Sequence, residues 1–346
     1  MLDFIEPLMN VHLAVPDLFW PESAAVPAAP PSERLPALET LLARGRRTAG
    51  AEASFEAWCL ARWGVPDAGV APYALLADGG EPDDEYWLRA DPCHLRVSRD
   101  HLVLVDATLF DLARAEADAL VESLNRHFAA AGIVFFALQP ERWYARAADA
   151  PGLHAPPIAA ARGRPVEGRT GGDEVRWRAL ENELQMLLHA HPVNDAREAR
   201  GELPVNGVWL WGGGRLVAPA RRPYGRVRSA DPLPAGLAAA SGGSVLPLPD
   251  EAGRWLRAAP GAGIELVVLD QLRAPAGYGD HASWAGRLGA LERDWFAPLL
   301  EALRADRIGM VTLHAIGAGG TLDAETTRQD LRYFWRRPKP VAAYAR

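Results

Sequence analysis

Short apolar runs of strand length punctuate the chain, separated by longer stretches in which apolar residues return every three or four positions. The runs are Val11–Val15, Leu102–Val105, Ile133–Leu138, Val208–Trp211, Ile264–Leu269 and Ile308–Leu313. Helical spacing predicts helices over Leu35–Arg44, from Ser54 to Trp63, over Asp111–Ala130, from Trp177 onward, and over Ala282–Ala305. Punctuation supports these limits: Ser54 is suited to an N-cap, and Gly45, Gly132 and Gly201 to helix stops. Gly286 and Gly289 weaken the first turns of the last helix. Strand, helix and strand in this order predict an α/β protein with a mainly parallel, helix-covered sheet.

The stretch Trp177–Gly214 joins an amphipathic segment, a polar turn and an apolar run ending in glycines. Leu180, Leu184, Leu187 and Leu188 share one helical face. His191-Pro192 ends that helix, and Asn194 or Asp195 is expected to cap a short second one that stops at Gly201. Val208–Trp211 then reads as a buried strand. Loops rich in Pro and Ala over 21–32, in Pro, Gly and Asp over 66–86, and in Pro, Gly and Arg over 147–173 mark places where the chain changes neighbourhood.

At 346 residues the chain exceeds the usual size of one core, so two domains or one domain with a large insertion are expected. Hydrophobic residues make up 49% and charged residues 23%, a globular balance. A net charge of -7 gives no general drive toward nucleic acid or anionic membrane, which makes nucleic acid an unlikely partner. The exception is a local basic run, Arg215, Arg221, Arg222, Arg226 and Arg228 with Tyr224, read first as a solvated loop. No apolar run reaches the roughly 20 residues of a membrane-crossing helix. The first residues carry acids where a secretory signal would be basic. Two cysteines, Cys59 and Cys93, are too few for a disulfide framework, and a cytoplasmic location is expected.

The segment HPVNDAREARGELPVNGVWLWGGG, residues 191–214, resembles the HPVNxxRxxxGxxPANxxxxRGAG segment of the archaeal-type cofactor-independent phosphoglycerate mutases, of the alkaline phosphatase superfamily. His191, Asn194, Arg197, Gly201, Pro204, Asn206, Gly212 and Gly214 carry the match. LPALETLLARG resembles that family's TPNLDKLAKEG, Ser54 its serine-bearing segment, and Arg273–Asp280 its KAPDxAGHDGD. A closer likeness is to a bacterial subgroup designated either phosphoglycerate mutase or Rpf-type (regulation of pathogenicity factors) regulatory protein.

The resemblance implies an alkaline phosphatase-like core, over 1–85 and 206–346, interrupted by an inserted α+β domain over 86–205. It also implies a catalytic serine, here Ser54, activated by two divalent ions, commonly manganese or zinc. His191, Asn194, Arg197, Asn206 and Arg273 stand at its ligand-binding positions, with Arg273 replacing a lysine. The metal ligands are largely lost. Only Asp17 remains of DGxGD, Tyr278 stands where the family has histidine, and Thr312-Leu313-His314 keeps only the histidine of GDH. The remnant candidates are Asp17, Asp270, Asp280, His281 and His314. The expectation is a degenerate mutase-like pseudoenzyme without a cofactor, serving as a binding or regulatory protein for a phosphorylated or carboxylate small molecule or a protein partner. The alternative is an active phosphomutase or phosphatase using Ser54 and a rearranged metal site.

Overall fold

The computed structural model describes residues 8–21, 34–98, 101–148, 155–166, 174–257 and 261–345. The loop over 22–33 and parts of the connection over 147–173 lie outside these. The chain divides into two compact units, one formed by Met1–Pro66 with Pro219–Arg346 and the other by Asp67–Ala218.

The first unit begins with strands β1 (Asn10–Pro16) and β2 (Arg46–Gly50). The second unit supplies β3 (Tyr86–Ser98), β4 (His101–Asp106), β5 (Ile133–Gln139), β6 (Arg142–Ala147) and β7 (Gly207–Gly214). The first unit resumes with β8 (Arg226–Arg228), β9 (Ser244–Leu246), β10 (Ile264–Val268), β11 (Met310–Gly317) and β12 (Gly320–Thr327).

The sheet of the first unit has the order β2-β12-β11-β1-β10-β8-β9. From β11 to β9 all strands are parallel, and β12 and β2 add an antiparallel edge. Because side chains alternate, strands in register share faces. Val11, Leu13 and Val15 of β1 join Val311, Leu313 and Val267 in one apolar core, together with Leu38, Leu41, Leu288, Leu299 and Leu303. Those residues come from helices Pro36–Arg44, His281–Leu291 and Ala297–Arg304. Helix Pro36–Arg44 has no side-chain cap of its own. The carboxylate of the distant Glu292 accepts hydrogen bonds from Ala37 N (2.6 Å) and Leu38 N (3.0 Å) instead.

The other face of this sheet differs. His12 and His314 project from it toward helix Phe55–Arg62, which brings Trp58 and Arg62. A parallel sheet covered on both faces, but with one face polar, is the frame of the site.

The second unit is an antiparallel sheet, β4-β3-β6-β5, with β7 also paired to β3. Helices Arg114–Phe128 and Glu174–His189 contribute Leu120, Leu124, Leu184 and Leu188 to a core with Phe135, Trp143 and Leu210.

Several sequence expectations need adjustment. The run Val208–Trp211 is a buried strand, but it pairs with β3 in the second unit, so the units part at 66/67 and 218/219, where 85/86 and 205/206 were expected. The short helix after His191 starts at Pro192 with His191 as its N-cap, because proline fits the first helical position; Asn194 lies inside it. The helix expected over Ala282–Ala305 is interrupted by a π-turn at Glu292–Phe296, just before Pro298, whose missing N–H cannot continue the ladder. His314 sits within β11 instead of ending it.

Candidate functional site

Open parallel sheets place ligand-handling groups beyond the carboxyl ends of their strands. In the first unit those ends are occupied by acids. Asp17 follows β1 directly, Asp270 lies two residues past β10, and Asp231 follows β8 as the N-cap of helix Pro232–Ala240. Asp17 has a φ of 57°, a left-handed conformation uncommon for a residue other than glycine. Its N–H donates to the Ile316 carbonyl, and its own carbonyl accepts from the Trp284 indole at 2.9 Å, so the backbone is held there from both sides.

Arg273 is directed into this group. One guanidinium nitrogen donates to Glu56 Oε1 at 2.6 Å and another lies 3.4 Å from Asp231 Oδ2, with the Arg273 side chain only 13% exposed. The guanidinium also covers the Phe55 ring at 5.0 Å. Burial works against its charge, but Glu56, Asp231 and Asp17 outweigh burial and raise its pKa. Asp231 is pushed up to about 6, by burial first and then by the nearby charges of Asp270 and Glu56, against the pull of Arg273. Burial together with Asp231 and Glu56 also pushes the Cys59 thiol up, so Cys59 is no thiolate nucleophile.

Ser54 caps helix Phe55–Arg62, its Oγ accepting from Ala57 N at 3.1 Å, and it is partly exposed. Glu56 is in the first turn of the same helix. A cleft of about 440 Å³ beside the strand ends is lined by Asp17, Phe19, Trp20 and the β11–β12 turn at Gly317–Gly320.

His314 belongs to a second network, on the polar face of the sheet. Its Nδ1 pairs with Asp323 Oδ1 at 2.7 Å, and its Nε2 lies 2.9 Å from His12 Nδ1. Asp323 is in turn bound by Arg62. With His314 Nδ1–H donating to the carboxylate, His314 Nε2 accepts from His12, and both rings are neutral. The surroundings agree: burial and the adjacent His314 and Arg62 push the pKa of His12 down to about 3, and burial lowers that of His314. The remaining remnant candidates are placed apart from one another in role. Asp280 is exposed and caps helix His281–Leu291 through Ser283 N (3.0 Å), and His281 packs edge-on against Trp20 at 4.9 Å.

The fit to a metal pair follows from this donor set. Among the described residues no group of three or more His, Cys, Asp or Glu is placed to hold a metal ion. A fixed guanidinium stands between Glu56 and Asp231, and His314 has spent both ring nitrogens on protein partners. These residues do not fit the two-metal centre that the resemblance implies.

The matched motif lies in the second unit. Asn194 is 2% exposed; its amide donates to the Leu188 (2.7 Å) and Val205 (2.8 Å) carbonyls and accepts from Val205 N (2.8 Å). Arg197 is 1% exposed and binds Glu116 (2.6 Å) and the carbonyls of Leu203 and Asp111. Asn206 closes on the backbone of Leu95 through both amide atoms. These side chains stitch helix, loop and strand together. His191 is partly exposed: it bonds Ser123 Oγ at 2.9 Å and lines a groove of about 580 Å³ with Arg126 and Met186.

The basic run at 215–228 is not a patch. Arg226 and Arg228 both pair with the buried Glu265, Tyr224 is buried, and Arg222 donates to the Gly242 carbonyl. The residues that sequence reasoning missed are Glu56, Asp231, His12 and Asp323. Asp231-Pro232 carried a legible helix-start signal, and Glu56 is two residues past Ser54. Nothing in the sequence pointed to His12 or Asp323.

No family model and no curated protein sequence matches the chain. Among solved structures it is similar to the cofactor-independent phosphoglycerate mutase from Thermoplasma acidophilum DSM 1728, at 15% identity over 98% of this chain and 95% of that one, with a TM-score of 0.50. It is also similar to the PH0037 protein from Pyrococcus horikoshii, at 12% identity over 93% and 87% of the two chains, with a TM-score of 0.55. At these identities it is the fold that is shared: the chain has a phosphoglycerate mutase-like α/β fold.

Proposed function

We propose that this chain is a degenerate relative of the cofactor-independent phosphoglycerate mutases, without metal-dependent phosphoryl transfer, acting as a binding or regulatory protein. The observation that carries the reading is Arg273, whose guanidinium lies 2.6 Å from Glu56 and 3.4 Å from Asp231 amid the strand-end acids. A cation built into the chain balances carboxylates that would otherwise attract metal ions, and it cannot generate an activated oxygen as a metal does. The burial and partners of His314, and the capping role of Asp280, agree with it. The likeness to the Rpf-type regulatory subgroup points the same way. The small molecule of this reading carries a phosphate or carboxylate, and His191 with Arg126, beside the groove in the second unit, is its receiving group.

A coupled assay for conversion of 3-phosphoglycerate to 2-phosphoglycerate, with manganese added, tests the reading. We expect no turnover above background and metal well below one equivalent per chain by elemental analysis. Robust turnover would overturn it. One observation favours the enzyme alternative: Ser54 is partly exposed at a helix N-terminus, two residues before Glu56. That alternative requires turnover that disappears in Ser54→Ala.

A further inference from the structure

A concavity of the first unit lies at the opposite edge of its sheet from β9. β2 is the edge strand, and all five of its residues are exposed. The segment over 330–345 folds back beside it. Arg44 donates to the Leu331 carbonyl at 2.5 Å, Arg336 donates to the Arg44 carbonyl at 2.8 Å, and Lys339 N donates to Tyr344 Oη at 3.2 Å. Between strand and segment is a groove of about 990 Å³.

Its lining is basic and aromatic. Arg46, Arg47, Arg336, Arg337 and Lys339 face it, with Asp330 the one acid among the described lining residues. Asp330 is spent on Thr327, whose N and Oγ1 it accepts at 2.8 and 2.6 Å. Arg46 pairs with Glu325. Among the described residues Arg47, Arg336, Arg337 and Lys339 have no carboxylate partner within ion-pair distance. So much unneutralised positive charge is unusual on a chain with a net charge of -7. Tyr333, Trp335 and Tyr344 are interleaved with these cations. Arg336 covers the Tyr333 ring at 4.8 Å, and Arg47 covers Tyr344 at 5.3 Å. Trp335 is 62% exposed and the adjacent Phe334 74%, an apolar surface that folding leaves in water.

We infer that this groove binds single-stranded nucleic acid. Unpaired cations spaced along a concave channel suit a phosphate backbone, and exposed aromatic rings between them suit unstacked bases. An acidic peptide would satisfy the charges but leave Trp335 and Phe334 without a planar partner. A bilayer would meet the rings but not enter a concave channel. The whole-chain charge argued against nucleic acid, and in the run at 215–228 Arg226 and Arg228 are paired with Glu265; the groove here gathers cations beside exposed aromatic rings.

The test is fluorescence anisotropy of a fluorescein-labelled oligothymidylate with the intact chain at about 50 mM salt. Saturable binding is expected, weakening steeply with salt as contacts to a few phosphates require. Arg337→Glu with Lys339→Glu lowers affinity at least tenfold and flattens the salt dependence. Trp335→Ala lowers affinity about tenfold, and Trp335→Phe restores part of it. Arg221→Glu with Arg222→Glu, outside the groove, leaves binding unchanged. Circular dichroism confirms that each variant is folded. Absence of binding to the wild-type chain overturns the inference, as does binding indifferent to the Arg337/Lys339 pair. If polyglutamate, or vesicles of phosphatidylserine, bind while the oligonucleotide does not, it is likewise overturned. Equal binding of polyglutamate and oligonucleotide with no effect of Trp335→Ala also overturns it.

Discussion

The first unit holds arginines in two opposite ways. At the strand ends Arg273 is almost enclosed, bonded to Glu56 and beside Asp231, and its charge serves the protein itself. Along β2 and the segment over 330–345, Arg47, Arg337 and Lys339 stand in an open groove without carboxylate partners among the described residues, and their charge remains available. The difference teaches that the same side-chain type can serve folding or remain available: at the strand ends the charge is closed by an internal ion pair, while the unbalanced charge lies at the far edge of the sheet. The matched motif of the second unit belongs to the first kind, since Asn194 and Arg197 are buried and bonded to their own unit.

Removing Arg273 should have the largest effect. Arg273→Ala leaves Glu56 and Asp231 as uncompensated buried carboxylates, a loss of about 3–5 kcal/mol by urea unfolding. Adding Glu56→Gln to that variant should recover part of it. An Arg273→Ala chain as stable as wild type would break the comparison. Next comes Asn194→Ala, which strands Val205 N and two carbonyls inside the second unit and should cost about 1–3 kcal/mol by the same measurement.

Acid should destabilise the chain through the polar face of the sheet. His12 and His314 stay neutral when folded but take up protons when unfolded below about 6.5, so the unfolded state binds more protons and stability falls as pH drops. Each such group contributes up to about 1.4 kcal/mol per pH unit across its window. Asp231 has the opposite sign: its folded pKa, pushed up to about 6, lies above its unfolded value, so stability rises as pH falls from about 6 toward about 4. His12→Asn should therefore flatten the acid loss, and Asp231→Asn should steepen it. Unfolding midpoints measured between pH 7 and pH 5 check both. The smallest effect belongs to the open groove. Arg337→Ala with Lys339→Ala should change stability by no more than about 0.5 kcal/mol, because these side chains make no ion pair to lose.

The sequence revealed most of the architecture and little of the site. β1, β10 and β11 were legible because strands buried on both faces are continuous apolar runs, and the helices because their apolar faces repeat. β2, with the sequence RRTAG, was not, since an exposed edge strand has no apolar face to show. Nor was the place of Val208–Trp211, whose apolar run specifies a buried strand but not which sheet takes it. Among the residues at the strand ends, Asp17, Asp270 and Arg273 were singled out by position and resemblance. Glu56 and Asp231 were not singled out, because an acid at a helix start is ordinary helix punctuation. The pairing of His12 with His314 depends on strand register across some three hundred positions, which spacing along the chain does not encode. Asn194, Arg197 and Asn206 show the converse: a motif can be recognised while its side chains are turned inward.

Manganese titration of the intact chain by calorimetry at neutral pH tests the central claim most directly, because it asks whether Arg273 has taken the place of a metal ion among the strand-end acids. The account predicts no saturable binding to the wild-type chain. Stoichiometric binding that is lost in Asp17→Asn or Asp270→Asn would contradict it.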